Sequence, residues 1–165
     1  MSDFLNPLKV IEKLSLREEI DVADFGCGSG GWVIPLAKKI KNAKIYAIDI
    51  LEPALSALKS NAEMEKVYNI RTIRCDVERG VDLKSESIDL VIASNLFFQV
   101  EDKEAVIKEA LRILRKEGEI IVVDWIIKED NAESKLRKKI EENGFKFIKE
   151  IEAGKSHFAN LYEKT

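Results

Sequence analysis

A chain of 165 residues, 45% apolar and 35% charged, has the balance of one globular domain with a sizeable core and excludes a disordered class. Its net charge of −3 gives no global basic signature of a nucleic-acid binder. The two cysteines, Cys27 and Cys75, fit neither a disulfide framework nor a zinc spacing, so no metal is expected and a reducing cytoplasm is the expected location.

The N-terminus, MSDFLNPLKVIEKLSL, lacks the charged and apolar regions of a leader, and no apolar stretch approaches the length of a membrane span. Asn6-Pro7 opens a helix with Leu8, Ile11 and Leu14 on one face. Residues 1–16 are expected to form a minimal lid on a single domain covering residues 1–165. Residues 21–25 read as a buried strand, and a helix follows the glycines with Trp32, Val33, Leu36, Ala37 and Ile40 inward. Strands are expected at 44–49, 70–75, 88–94 and 119–125, with helices at 52–64, 103–114 and 132–143. The polar stretch 78–87 reads as a surface loop with a short helical turn, and Glu117-Gly118 as a turn. The end breaks the alternation: 145–151 and 157–164 are β-like with no helix between them, and should pair as an antiparallel hairpin. The sum is an α/β fold: a Rossmann-like, mostly parallel, seven-stranded sheet with helices on both faces and an antiparallel C-terminal hairpin.

The turn VADFGCGSGGW, residues 22–32, carries the chemistry. Gly26, Gly28 and Gly31 spell the G-x-G-x-x-G of dinucleotide binders. Asp24, Gly26, Gly28 and Gly30 spell a D-x-G-x-G-x-G loop for S-adenosylmethionine. Glycines let backbone N–H groups approach a ligand, and the next helix offers the positive end of its dipole. Asp24 discriminates. A carboxylate beside a pyrophosphate is repelled, whereas one beside an ammonium is favoured; a structural acid that holds the loop is the plain alternative.

Three further strand ends supply candidates. Asp49, with Ile50 after it, stands where an acid accepts ribose hydroxyls. Asp76-Val77 pairs an acceptor for an adenine amino group with an apolar side chain for the ring. SNLFFQV brings Asn95 beside the ligand, and Phe97 and Phe98 to the acceptor pocket unless they serve as core. Cys27 lies inside the loop. The catalytic group is unknown. Asp124, followed by the pocket candidate Trp125, and His157, the only histidine, are its candidates.

At these residues the sequence resembles the class I S-adenosylmethionine-dependent methyltransferases. VADFGCGSG is similar to their first motif, IYAID to the second, RCDVE to the third and DLVIASNLFF to the fourth. LRILRKEGEIIVVDW is similar to the helix-turn-strand that follows, with Lys116-Glu117-Gly118 in place of the usual Pro-Gly-Gly. The likeness spans roughly residues 20–125, most of all to the small ubiquinone/menaquinone-type branch. It implies methyl transfer from S-adenosylmethionine, with S-adenosylhomocysteine as product and the cofactor-binding residues Asp24, Gly26, Cys27, Gly28, Gly30, Asp49, Ile50, Asp76, Val77 and Asn95. Ser94-Asn95-Leu96-Phe97 lacks the prolines of amino-group methylases, and the aromatic mouth points to a small or partly apolar acceptor. Nucleic acid and protein acceptors stay open, as does a homodimer that closes the site. Two other readings stand beside this one: a non-catalytic cofactor-binding partner subunit, and a nicotinamide-dependent oxidoreductase.

Overall fold

The computed structural model describes residues 4–165. Seven strands form one sheet: β1 (Asp21–Phe25), β2 (Lys44–Asp49), β3 (Ile70–Arg74), β4 (Ile88–Ser94), β5 (Leu114–Trp125), β6 (Phe145–Ile151) and β7 (His157–Lys164). Their order across the sheet is β3-β2-β1-β4-β5-β7-β6. β1 to β5 run parallel, and β7 lies antiparallel to both β5 and β6. The terminal pair is therefore the expected hairpin. The last strand, however, inserts beside β5 and leaves β6 at the edge.

The central strands are apolar at nearly every position because both faces of the sheet are covered. Successive residues of one strand enter different cores. Val22, Leu90, Ile92, Ile121 and Val123 join one core with α1 (Pro7–Ile11), α2 (Val33–Lys39) and α3 (Glu52–Met64). Ala23, Phe25, Val91, Ala93 and Val122 join the other with α4 (Lys103–Ile113) and α5 (Ala132–Glu142). α1 is capped by the Asn6 side chain, starts at Pro7 as its sequence dictates, and buries Val10 and Ile11. It packs on α2.

Three local departures have physical causes. The expected turn at Glu117-Gly118 is a bulge within β5: Ile88 faces Leu114 but Leu90 faces Glu119, and Glu117 takes up the slack at φ +62°. A 3-10 turn, Glu129–Asn131, precedes α5, with Asp130 and Asn131 both left-handed, which these residue types tolerate. Residues 78–87 form bends and turns without a helical segment. They are held to α4 instead. Arg112 donates to the carbonyls of Val81 and Leu83, and Glu109 accepts the Val81 N–H.

At the N-terminal edge of the strands Arg115 bridges Asp21 and Asp89, and Arg17 joins Asp89. This closes the end of the sheet opposite to the glycine turn. No described helix is long and apolar enough to cross a membrane.

Ile92 is fully buried in the central strand β4. Ile92→Ala should lower unfolding stability by about 2–5 kcal/mol. A urea titration should show this as a lower midpoint at unchanged slope.

Candidate cofactor site

The order reverses between β1 and β4, and the crevice of an open α/β sheet forms at such a switch point. There β1 ends at Phe25 and the chain turns through residues 26–32 into α2. The turn is bonded from within. Gly26 and Cys27 both donate their N–H to the carbonyl of Ile48, at 2.8 and 2.9 Å. Gly28 donates to Asp49 Oδ2 at 2.9 Å, and Gly30 to the carbonyl of Cys27 at 3.2 Å. Asp49 Oδ1 accepts from the Leu51 N–H at 2.9 Å.

Four of the turn's amides are thus already partnered, which differs from the expected cradle of ligand-facing N–H groups. What the turn presents is bare backbone surface. Gly28 sits at φ +54°, and a Cβ added there would meet no atom within 4 Å. Gly30 has another purpose: at φ +102° its missing Cβ makes room for Ile34, whose Cδ1 would lie 2.9 Å away.

The cleft over this turn has a volume of about 570 Å³. Its charged lining is wholly acidic, namely Asp49, Asp76 and Glu78; no Lys, Arg or His contributes among the described residues. Ile50, Leu51 and Val77 add apolar surface. Asp76 closes its own turn by accepting from the Glu78 N–H at 2.9 Å.

Asp24 lies beneath, 1% exposed, and neither of its carboxylate oxygens has a partner. Burial, and then the charge of Asp49, raise its pKa to about 8. A buried carboxyl without donors is costly, and it marks a place where a positive ligand group is favoured. This arrangement fits the sulfonium and ammonium of S-adenosylmethionine. It does not fit a pyrophosphate, which needs free donors and cations.

The thiols are not nucleophiles. Burial pushes the Cys27 thiol up, and the carboxylates Asp24 and Asp49 add to it. Cys75 is raised by burial and then by Asp76, Glu109 and Asp82.

The other predicted residues form a second group at the ends of β4, β5 and β7. Asn95 lines the cleft at φ +52°, with its N–H on the Val123 carbonyl at 2.7 Å. Its Oδ1 meets His157 Nε2 at 3.1 Å. His157 is buried under the Trp125 ring, at a centroid distance of 4.1 Å, and Trp125 itself is 51% exposed. Burial lowers the proton affinity of His157, partly offset by the charge of Asp124.

Asp124 is buried and does not line the cleft. Its carboxylate accepts the Trp125 N–H at 2.9 Å and the Phe98 N–H at 3.4 Å, and so holds the loop after β4. Burial raises its pKa against those hydrogen bonds. Phe97 is fully buried in the α4-side core, as the apolar anchor of that loop, and is absent from the cleft wall. Phe98 is half-buried, edge-on to Phe158 at 6.3 Å.

Sequence reasoning missed Trp32, Ser94, Gln99 and Val100, which all line the cleft. Ser94 and Gln99 flank Asn95 on the strand-end loop, and that proximity was the available signal. Trp32 had none, because its place in an apolar stripe reads as core.

Asp24 makes stability depend on pH. Its pKa is raised in the folded state, so its contribution is full below the ordinary carboxyl value of 3.8 and is lost as pH rises through about 8. Asp24→Asn should therefore melt higher than the parent at pH 8, with the gap shrinking at pH 5. Thermal unfolding followed by circular dichroism at the two values measures it. An equal gap at both would remove the buried charge from the account.

Residues 16–164 match the family model described as a methyltransferase domain. The chain is 31% identical over 142 residues to the ribosomal protein L11 methyltransferase of Acetivibrio thermocellus, covering 84% of this chain and 41% of that protein. It is 27% identical over 123 residues to a ubiquinone/menaquinone biosynthesis C-methyltransferase of Campylobacter jejuni, covering 72% and 50%. The chain thus spans half or less of the length of these curated relatives. Its fold matches the crystal structure of an S-adenosylmethionine-dependent methyltransferase from Aquifex aeolicus at a TM-score of 0.88 and 20% identity, over 99% of this chain and 92% of that one. With its acid-lined glycine turn and its 3-2-1-4-5-7-6 sheet, the chain belongs to the class I S-adenosylmethionine-dependent methyltransferase family.

Proposed function

We propose that this chain moves a methyl group from S-adenosylmethionine to a small or partly apolar acceptor. The observation that carries the reading is the charge of the cleft: three acidic side chains in its wall, an unpartnered buried acid beneath it, and no cation among its described lining residues. Asp24 supplies a buried carboxyl whose ionisation a bound ammonium favours. Gly26, Cys27 and Gly28 give the backbone surface, with Gly28 the point of closest approach, while Gly30 lies outside the cleft wall and serves the packing of Ile34. Asp49 with Ile50 serves the ribose, Asp76 with Val77 the adenine, and Asn95 the remaining end. Exposed apolar side chains suit the acceptor: Ile50 and Leu51, 55% and 60% exposed, line the cleft, and Trp125, Ile126 and Ile127, outside its wall, form an exposed run at the end of β5. Phe98 and Trp125 are the aromatic groups proposed to meet it.

The bound cofactor supplies a methyl group already activated on a sulfonium. The chain's own residues hold the reactants in line and keep water away. The Asp49 clamp keeps the glycine turn rigid, and the apolar side chains of the cleft desolvate the reacting centre. Asp124 is occupied by backbone N–H groups and His157 Nε2 by Asn95, and neither residue lines the cleft, so neither is placed to act as a general base. An acceptor that is nucleophilic without losing a proton first suits this wall.

The same lack of a base favours one other reading, a cofactor-binding partner subunit without turnover. Methyl transfer from labelled cofactor separates the two. The acceptor panel should contain small aromatic and apolar nucleophiles, with ribosomal protein and total RNA as macromolecular arms. Labelling of a small acceptor supports the proposal. Labelling of protein or RNA alone overturns the acceptor class. Tight cofactor binding with no labelled product in any arm favours the partner subunit.

Gly28→Ala places a Cβ in open cleft space at a left-handed position, at a strain of about 1–2 kcal/mol. Asp49→Ala removes the acceptor of two loop amides. Each should weaken S-adenosylhomocysteine binding more than tenfold in calorimetry and still unfold cooperatively. Parent-like affinity in both would move the site elsewhere.

A further inference from the structure

Asn95 is held from three directions. Its N–H is bound by the Val123 carbonyl on β5 at 2.7 Å, its carbonyl accepts from Gln99 Nε2 at 2.5 Å, and its side-chain Oδ1 meets His157 Nε2 on β7 at 3.1 Å. It is a left-handed residue in the cleft wall, so its backbone has little freedom to redirect the side chain. An oxygen facing Nε2 requires that nitrogen to carry the ring proton. Nδ1 is then a bare lone pair, buried and without a partner. With Trp125 covering the ring, His157 is an immobile neutral donor spent on Asn95. The Asn95 amide nitrogen is what remains to face a ligand.

Strand order says which part of the ligand that is. Asp76 follows β3 and Asp49 ends β2, on one side of the glycine turn; Asn95 follows β4, on the other. With the adenosine over β2 and β3, the amino-acid end of the cofactor lies over β1 and β4. That end carries a carboxylate, and among the described residues the cleft wall has no cation to receive it. We infer that His157 is a positioning residue: it turns the Asn95 amide so that its N–H group donates to the amino-acid carboxylate of the bound cofactor. The last strand, which contributes nothing to the cleft wall itself, thereby sets one of the cleft's polar contacts. This inference rests on the methyl-donor reading of the same cleft.

The test compares two ligands by calorimetry. S-adenosylhomocysteine carries the amino-acid end; 5′-methylthioadenosine lacks it. His157→Ala and Asn95→Ala should each weaken S-adenosylhomocysteine binding roughly three- to tenfold and leave 5′-methylthioadenosine binding unchanged. The double variant should bind no more weakly than Asn95→Ala alone, because the two residues act as one unit. His157→Gln keeps an N–H donor and should restore most of the affinity. It also carries the test if the alanine variant fails to fold. Equal losses for both ligands, multiplying losses in the double variant, or parent-like binding in His157→Ala would each overturn the inference while leaving the methyl-donor reading in place. A parent protein that binds neither ligand would overturn both.

Discussion

The carboxylate of Asp49 ties the glycine turn to the end of β2, and the site depends on that tie. One oxygen takes the Gly28 N–H and the other takes the Leu51 N–H, both at 2.9 Å. Two more amides of the turn go to the Ile48 carbonyl. Charge-assisted hydrogen bonds of this kind fix a loop that glycine alone would leave loose. They also occupy turn donors that a phosphate would otherwise use. A turn that looks from its spelling like a phosphate cradle is therefore a smooth, negatively charged bed.

The electrostatics follow. Asp24 is shut away from water beneath that bed, with no donor to offset its burial and Asp49 nearby to oppose its ionisation. An arrangement with this cost persists where function compensates for it. A ligand with fixed positive charge relieves both acids at once, so its binding and the ionisation of Asp24 favour one another. An anionic ligand would add to the repulsion. The choice between a methyl donor and a dinucleotide is thus made by the sign of the charge in the wall rather than by the glycine pattern.

Much of this was legible in the chain. Strand and helix order, the two faces of the sheet and the acids at the ends of β1, β2 and β3 all follow from apolar periodicity and strand-end position. What was not legible depends on distance in sequence. The insertion of β7 between β5 and β6 is a choice of pairing partner, and chain order alone favours neither. The contact of His157 with Asn95 spans 62 positions and exists only because β7 takes that place. Phe97 and Phe98 are adjacent and alike, yet one anchors the loop in the core and the other stays half-buried; composition cannot assign the inward one. Asp124 read as a free strand-end acid because its backbone partner, the Phe98 N–H, belongs to another element.

The same wall that selects the ligand leaves the chemistry lean. On the proposed reading, rate comes from orientation and dryness, and the exposed apolar residues at the ends of β2 and β5 are the proposed seat of the acceptor. The most direct check on the whole account is a calorimetric titration of the unmodified protein with S-adenosylhomocysteine, and in parallel with NAD. Saturable binding of the first, in the micromolar range or tighter, and none of the second is the expected result. Binding of NAD alone would contradict it, because it would show that an acid-lined turn with four of its amides already bonded can still hold a pyrophosphate.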